Sequence, residues 1–140
     1  MIEDRITPRV LGREAEELAA AEAARRGLRV LDRNWRTPFG ELDLVAVDIP
    51  ATGEPVLIVV EVKCRRSPRP ELGPALAVGG LKQRRLVRAA RAYLQRRAAQ
   101  HGLDPGRVTV RFDVCAIVWT ADGPAMTWLS DAFRPSGQLY

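Results

Sequence analysis

The sequence predicts an α/β fold in which helices flank a mixed β-sheet, with the element order αβββαββ. Residues 40–48, 55–64 and 107–119 have the alternating or continuous apolar character of strands. Two other stretches, near the N-terminus and after residue 80, repeat apolar residues at helical spacing. Elements interleaved in this way are typical of helices packed on one sheet. The length of 140 residues suits a single domain over residues 1–140.

The first helix is predicted from Pro8 to Arg26. Pro8 suits the first turn of a helix, and Gly27 suits the left-handed position that follows a last turn. The apolar residues form a narrow stripe that would pack against the sheet. This stripe consists of Leu11, Ala15, Leu18, Ala19 and Ala23.

Three strands are predicted next, over residues 28–35, 40–48 and 55–64, and the turn residues between 49 and 55 suit a hairpin. Alternation in the second of these strands places its side chains on two faces. One face would carry Glu41, Asp43, Val45 and Val47, and the other Leu42, Leu44 and Ala46. Residues 65–74 form a basic loop whose prolines exclude a central strand.

The second helix is predicted from Leu81 to Ala99, because Gly79 and Gly80 disfavour an earlier start. Its spacing predicts a core face made of Leu86, Ala89, Ala90, Tyr93 and Leu94. A fourth strand is predicted over residues 107–119 and a short fifth strand over residues 125–129.

The charge distribution favours a polyanionic partner. The net charge is +5, and no acidic residue occurs between Leu72 and Leu103. Such a one-signed field attracts polyanions and strengthens phosphate binding by counterion release. The alternative is a solvated helix face that arginines keep soluble. The basic residues of this stretch are Lys82, Arg84, Arg85, Arg88, Arg91, Arg96 and Arg97.

Composition excludes several other classes of protein. No apolar stretch approaches the roughly 18 residues of a membrane span, and the N-terminus lacks the apolar core of a signal peptide. A cytoplasmic location without a membrane partner is therefore expected. The single histidine, His101, excludes a histidine-rich zinc site and is interpreted as a helix-end residue. Cys64 and Cys115 lack metal-ligand spacing and are expected to be reduced thiols.

The third strand ends in a combination of charges that is typical of metal-dependent phosphodiesterases. Glu61 and Lys63 are two residues apart and share one face, whereas Ile58, Val60 and Val62 share the buried face. The neighbouring strand supplies Asp43. Two carboxylates would hold Mg²⁺ or Mn²⁺ through oxygen, and the ammonium would orient water or stabilise developing negative charge.

Each of these residues also has a simpler interpretation. Glu61 and Lys63 would form a solvent-facing ion pair, which contributes little to stability. Asp43 would be a solvated acid near a turn, and Glu16, a further carboxylate on the first helix, would be an ordinary solvated helix charge. Against this, Glu61 follows a long apolar run and Asp43 has apolar neighbours, where unpaired charge is expensive.

Several segments together resemble the YraN family of bacterial proteins, and the likeness covers nearly the whole chain. The core motif is residues 60–65, Val-Glu-Val-Lys-Cys-Arg, preceded by Asn-Trp-Arg at 34–36 and Gly-Glu-Leu-Asp at 40–43. Further matches lie at residues 11–19, 77–86 and 110–114. Ala15 departs from the family pattern, which has glycine there. The YraN family itself resembles a branch of the PD-(D/E)xK nuclease superfamily, near the Holliday-junction resolvases.

This resemblance implies a restriction-endonuclease-like core and a Mg²⁺- or Mn²⁺-dependent nuclease acting on DNA. Asp43, Glu61 and the backbone carbonyl of Val62 would hold the metal, and Lys63 would orient the nucleophilic water. Glu16 would hold a second metal or a metal-bound water. Gln83 would contact the water or the scissile phosphate.

Nucleic acid, DNA in particular, is the expected partner. Phosphate contacts position a nucleic acid without reading its sequence, so structure-selective or weakly specific cleavage is favoured. One alternative is a non-catalytic nucleic-acid-binding or partner-recruiting protein on the same fold, and another is a purely structural role for the acidic cluster. DNA or RNA, branched or linear substrate, and monomer or homodimer all remain open. The residues expected to bind phosphates are Arg36, Arg65, Arg66, Lys82, Arg84 and Arg88.

Overall fold

The computed structural model of the protein describes residues 8–67 and 76–135. The N-terminal residues 1–7 and most of the proline-rich loop, residues 68–75, lie outside the described residues. Within them the order of elements is αβββαββ, as predicted. The elements are α1 (Pro8–Arg25), β1 (Arg29–Thr37), β2 (Gly40–Asp48), β3 (Val56–Arg66), α2 (Gly80–Arg96), β4 (Thr109–Thr120) and β5 (Gly123–Phe133).

The five strands form one mixed sheet in the order β1-β2-β3-β4-β5. Only the central pair, β3 and β4, is parallel, and the other three pairs are antiparallel. The parallel pair requires a crossover connection, and α2 lies within it. The predicted α/β architecture with a mixed sheet is therefore confirmed. Neither helix of the described chain is long and apolar enough to cross a lipid bilayer.

The two helices pack against separate sets of strand residues, and each set forms a core. The α1 core contains Ala15, Ala19 and Ala23 beneath Ile58 and Val60 of β3. The small alanine side chains let the helix approach the sheet closely, so the predicted narrow stripe is confirmed. Gly27 follows the helix with φ 82°, as its predicted capping role requires.

The second core lies under α2. The five residues predicted for its core face, from Leu86 to Leu94, are all buried, and they pack against Val45, Val59 and Phe112 of the sheet. The helix ends at Arg96, three residues before the predicted end, and a short 3₁₀ helix continues from Ala98 to His101. The α2 arginines at positions 84, 85, 88 and 91 are exposed, so the helix presents a cationic face to solvent.

The fifth strand is longer than predicted. It covers eleven residues, Gly123–Phe133, rather than 125–129, because it pairs with β4 along almost its whole length. Its sequence is mixed in polarity, and most of its residues are only half-buried or exposed. An edge strand of this kind is stabilised by pairing with its neighbour, which apolar periodicity does not reveal.

Two clusters of polar side chains away from the end of β3 serve the fold. Asp32 accepts hydrogen bonds from Tyr93 at 2.7 Å and from Arg97 at 3.1 Å, and it lies 2.9 Å from a ring nitrogen of His101. The buried Asp113 accepts two hydrogen bonds from Arg111, at 2.8 and 2.9 Å. His101 is the last residue of the 3₁₀ helix that follows α2, so its predicted helix-end position is confirmed. Cys64 and Cys115 are both free thiols.

Candidate active site

The backbone pairing between β2 and β3 ends just before the charged residues Asp43 and Glu61. Its last backbone pair is Leu44 with Val60. Beyond that pair, the amide of Val62 donates a hydrogen bond of 2.9 Å to Oδ2 of Asp43. The side chain of Asp43 therefore bonds to β3 where the ladder has ended, and its carboxylate is fixed against the third strand.

The predicted alternation in β2 is wrong at Leu42. Leu42 packs in the α2 core together with Val45 and Val47, whereas Leu44 packs in the α1 core. The cause lies in the neighbouring strand, where Asn34 has a φ of 53°. Asn34 lies between the pairs Arg33–Leu44 and Trp35–Leu42. Its left-handed backbone conformation therefore twists the β1–β2 hairpin at the level of Asp43.

Three carboxylates converge at this turn. Glu16 on α1 and Glu41 and Asp43 on β2 each offer an oxygen, and these atoms all lie within 4.8 Å of one another. Asn34 holds Glu16 in place by donating a hydrogen bond of 3.0 Å to its Oε2. Glu16 is therefore a member of an acidic cluster rather than an isolated helix charge.

Sequence reasoning did not assign Glu41 to the site. Alternation placed Glu41 and Asp43 on one face, and this was the available signal. Arg36 lies beside Glu41, with its Nε 3.8 Å from Oε2 of the carboxylate. The contact is long and the Arg36 side chain is exposed, so it leaves Glu41 able to act as a third oxygen ligand.

Asp43 is held in conditions that oppose its ionisation. Burial, the negative charge of Glu61 and the negative charge of Glu16 together raise its pKa to about 7, against a hydrogen bond from Val62 and the charge of Lys82. Two acids that repel each other at a buried site gain strongly from a shared cation. The charge of Asp43 is thus only partly compensated by the side chains and backbone around it.

Glu61 is the second buried carboxylate of the site, with 9% of the residue exposed. Its Oε1 lies 3.4 Å from the ammonium of Lys82 on α2. Its Oε2 is buried and has no hydrogen-bond partner among the described residues. Burial raises the pKa of Glu61, and Lys82 and Lys63 oppose that rise. An unsatisfied buried oxygen is costly, so this atom is suited to a ligand that the protein itself does not supply.

Lys63 and Gln83 both reach the segment that precedes α2. Lys63 donates a hydrogen bond from Nζ to the carbonyl of Ala77, and Gln83 donates one of 2.7 Å from Nε2 to the carbonyl of Val78. Glu61 forms its ion pair with Lys82, so the simpler alternative, a solvent-facing ion pair between Glu61 and Lys63, is not the arrangement found. The catalytic roles of Lys63 and Gln83 and the metal-binding role of the Val62 carbonyl stay predictions.

Exposed cationic residues lie on both β3 and α2, the elements that carry Glu61 and Lys82. Arg65 and Arg66 are exposed at the end of β3, and Arg84 and Arg88 are exposed on α2. Lys82, predicted to bind phosphate, lies 3.4 Å from Oε1 of Glu61, and its phosphate-binding role stays a prediction. A cavity of about 350 Å³ lies between the β1–β2 turn and α2, lined among others by Glu41, Lys82 and Arg85. Arg85 was not among the residues predicted to bind phosphate.

Comparison with known proteins identifies the family. Residues 15–117 match the model of the uncharacterised protein family UPF0102. The chain belongs to the UPF0102 family. A UPF0102 protein of Syntrophotalea carbinolica is 42% identical over 127 residues, which cover 91% of this chain and 94% of the relative. A UPF0102 protein of Pseudomonas aeruginosa is 38% identical over 133 residues, which cover 93% and 97%.

UPF0102 is the YraN family, so the resemblance drawn from the sequence motifs is confirmed. A third UPF0102 relative, from Anaeromyxobacter dehalogenans, is 45% identical over 129 residues, which cover 91% of this chain and 87% of the relative. The matched span contains the acidic cluster, the Glu61-Val62-Lys63 motif and α2. The candidate site thus lies within the region shared with the UPF0102 family.

Proposed function

We propose that this protein is a divalent-cation-dependent nuclease that hydrolyses phosphodiester bonds in DNA with structure-selective or weakly sequence-specific action. The observation that carries the proposal is the unsatisfied buried oxygen of Glu61, which lies on the strand beside Asp43 and the acidic cluster. A cationic helix borders the same site. Hard carboxylate oxygens next to a polyanion-attracting surface are what metal-assisted phosphodiester hydrolysis requires.

The residues present fit Mg²⁺ or Mn²⁺. The cluster of Asp43, Glu16 and Glu41 offers only oxygen, which these cations prefer. Glu61 lies outside that cluster and adds a buried oxygen from the neighbouring strand. The raised pKa of Asp43 and of Glu61 shows that the carboxylates are poorly compensated by the protein alone. A bound cation would supply charge neutralisation at the phosphate and a more acidic water.

The other residues of the site would position the reacting groups. Lys63 carries a positive charge on the same strand as Glu61, where it would orient the attacking water or stabilise the negative charge that develops on the phosphate. Gln83 lies at the start of α2 and would contact the water or the scissile phosphate through its amide. Both side chains would first have to leave the carbonyls of Ala77 and Val78.

Exposed arginines would hold the nucleic-acid backbone. Arg84 and Arg88 on α2 and Arg65 and Arg66 at the end of β3 are exposed cations on the two elements that also carry Lys82 and Glu61. Contacts to phosphate oxygens fix the position of a nucleic acid but carry no sequence information directly. This arrangement favours recognition of backbone shape over recognition of base sequence.

The alternative is a nucleic-acid-binding protein that has no catalytic activity. The contact between Lys63 and the Ala77 carbonyl favours it, because that bond turns the positive charge toward the protein's own backbone. Lys82 likewise neutralises Glu61 from within. A protein whose two lysines are engaged internally in this way would bind nucleic acid through the arginines of α2 alone.

The proposed activity is tested by incubating the pure protein with single-stranded, duplex and branched DNA and with RNA. Cleavage is expected with Mg²⁺ or Mn²⁺ and not with EDTA. Glu61→Gln should abolish cleavage, whereas Glu54→Gln, an exposed glutamate in the β2–β3 loop, should leave it unchanged. Binding without cleavage under every condition would support the non-catalytic alternative.

We expect α2 to dominate the salt dependence of DNA binding. Roughly five phosphate contacts imply a log–log slope of affinity against salt of about −4 to −5 on duplex DNA. Arg84→Glu/Arg88→Glu should flatten the slope by about two and weaken binding to all sequences alike. The buried face of α2 is untouched, so the fold should survive. Fluorescence anisotropy over a salt titration measures both quantities.

The matched control is Arg29→Glu/Arg107→Glu, which changes the net charge by the same amount at two exposed arginines outside α2. This control should change the slope much less than the α2 variant. Equal slopes for the wild type and the α2 variant would show that α2 is not the binding surface. Equal effects of the two variants would show that only the net charge matters.

A further inference from the structure

We propose that Phe39 is a stacking platform for an unpaired nucleobase, and that nucleic acid with unstacked bases close to the cleaved bond is therefore the preferred ligand. The inference deepens the proposed function and rests on it for the identity of the ligand as nucleic acid. It is carried by the exposure of Phe39, the rigidity of its turn and the charges that surround it.

Phe39 is exposed, and its side chain is not part of the buried cores that hold the fold together. It lies in the two-residue turn between β1 and β2, with 40% of its surface accessible. Among the described residues it is the one aromatic side chain in the set of large exposed hydrophobic residues, which otherwise contains Val10, Ile49, Leu81 and Leu129. An aromatic ring kept in water offers its face to a partner.

The turn that carries Phe39 is held by a specific set of hydrogen bonds. The hydroxyl of Thr37 donates to the carbonyl of Gly40 at 2.8 Å and accepts from the amide of Phe39 at 2.9 Å. Gly40 has a φ of 133°, which L side chains rarely adopt. The ring is thus presented by a defined backbone, so little conformational freedom is lost when a ligand stacks on it.

Phe39 separates two cavities along α2. The first, of about 350 Å³, includes Glu41, Lys82 and Arg85 in its lining. The second, of about 270 Å³, includes Arg88, Arg91 and Arg96. Phe39 lines both. A strand that lies along the arginines of α2 and reaches the acidic cluster at Glu41 must therefore pass this ring.

The charges around the ring favour a nucleobase over other apolar ligands. The guanidinium of Arg88 lies 5.9 Å from the ring centroid, and α2 contains no acidic residue. Cationic side chains interleaved with an aromatic face bind the phosphate and the base of the same nucleotide. In a duplex the bases are stacked on one another, so the ring would discriminate in favour of unpaired bases.

The test measures binding in EDTA, so that it does not depend on cleavage. The ligands are a fluorescein-labelled single-stranded oligonucleotide and a fully paired duplex of the same length, each titrated by anisotropy. Phe39→Ala should lower affinity for the single strand by about 5- to 100-fold, the range that base–aromatic stacking provides, and change duplex affinity less than about twofold. Phe39→Trp should retain single-strand binding.

Ile49→Ala is the matched control, because Ile49 is a more exposed apolar residue at the opposite end of β2. It should bind both ligands as the wild type does. A second readout is the tryptophan fluorescence of Phe39→Trp, which should be quenched by the single strand beyond the quenching seen with Ile49→Trp. This signal also serves if Phe39→Ala does not fold.

Each outcome bears on the inference separately from the proposed function. Equal losses on single strand and duplex, or no loss on either, would overturn the role of Phe39 even in an active nuclease. Selective loss in a protein that cleaves nothing would support the stacking site and overturn only the nuclease activity. A wild type that binds neither ligand would overturn both, and would point instead to an acidic protein partner.

Discussion

Asp43→Asn should abolish cleavage and at the same time stabilise the metal-free protein. Asparagine keeps an oxygen to accept the amide hydrogen bond of Val62 but removes the charge that a cation needs. Without the metal, the negative charge of Asp43 destabilises the folded protein, because burial and the charges of Glu61 and Glu16 all oppose ionisation of this carboxyl. Loss of Asp43 should reduce the cleavage rate by at least about a hundredfold, because the charge stabilisation that a bound cation would supply at the phosphate is lost with its ligand.

The pKa of Asp43 gives this effect a defined pH dependence. Its pKa is about 7 in the folded protein and 3.8 ordinarily, so folding favours the protonated form. The stabilising contribution is complete below pH 3.8 and is lost as pH rises toward 7. The metal-free wild type should therefore lose on the order of a few kcal/mol of unfolding free energy across this window, and Asp43→Asn should lose less.

Thermal denaturation in EDTA at pH 5 and pH 8 measures the effect. Asp43→Asn should melt above the wild type at pH 8, with a smaller difference at pH 5. Saturating Mn²⁺ should raise the melting temperature of the wild type only, because a ligand that binds the native state stabilises it. Asp48→Asn, at the other end of β2 and also half-buried, is the control. A variant that melts below the wild type at pH 8 would contradict the interpretation that the charge of Asp43 destabilises the metal-free protein.

The fold could be predicted wherever burial leaves a periodic signal. The α2 core face from Leu86 to Leu94 and the α1 stripe follow directly from helical spacing, and both are buried as expected. The apolar pattern did not predict the full length of β5, because the stability of this strand depends on pairing with β4 rather than on its own apolar residues. It failed again at Leu42, because the left-handed Asn34 on the adjacent strand interrupts an alternation that β2 alone appears to continue.

The candidate site was predictable in its residue types but not in its pairings. Asp43 and Glu61 were visible as charges within apolar strands, where an unpaired carboxylate needs an explanation. The partner of Glu61 is Lys82, 21 positions later, and that contact depends on where α2 lies over the sheet. Likewise Glu16 and Glu41 meet only because α1 and the turned hairpin come together. Contacts between distant elements leave no local pattern in a sequence.

The role of Lys63 can be separated from simple phosphate binding by comparing rate with affinity. Lys63→Ala should lower the single-turnover cleavage rate by about a hundredfold or more, because a charge positioned at the reacting phosphate acts mainly in the transition state. Affinity should change little, because many other cations contact the backbone. Single-turnover kinetics with saturating protein and anisotropy in EDTA give the two values.

Arg65→Ala is the matched control, because Arg65 lies two residues further along the same strand at its exposed end. As a phosphate-binding residue it should weaken affinity and leave the saturated rate nearly unchanged. The bond from Lys63 to the Ala77 carbonyl adds a further expectation, since substrate must compete for this ammonium. Lys63→Arg, which keeps the charge but is longer and planar, should bind with the affinity of the wild type without recovering its rate. Parallel losses of rate and affinity in Lys63→Ala would instead assign Lys63 to the same backbone-binding surface as Arg65, and the chemistry would have to depend on the carboxylates and Gln83 alone.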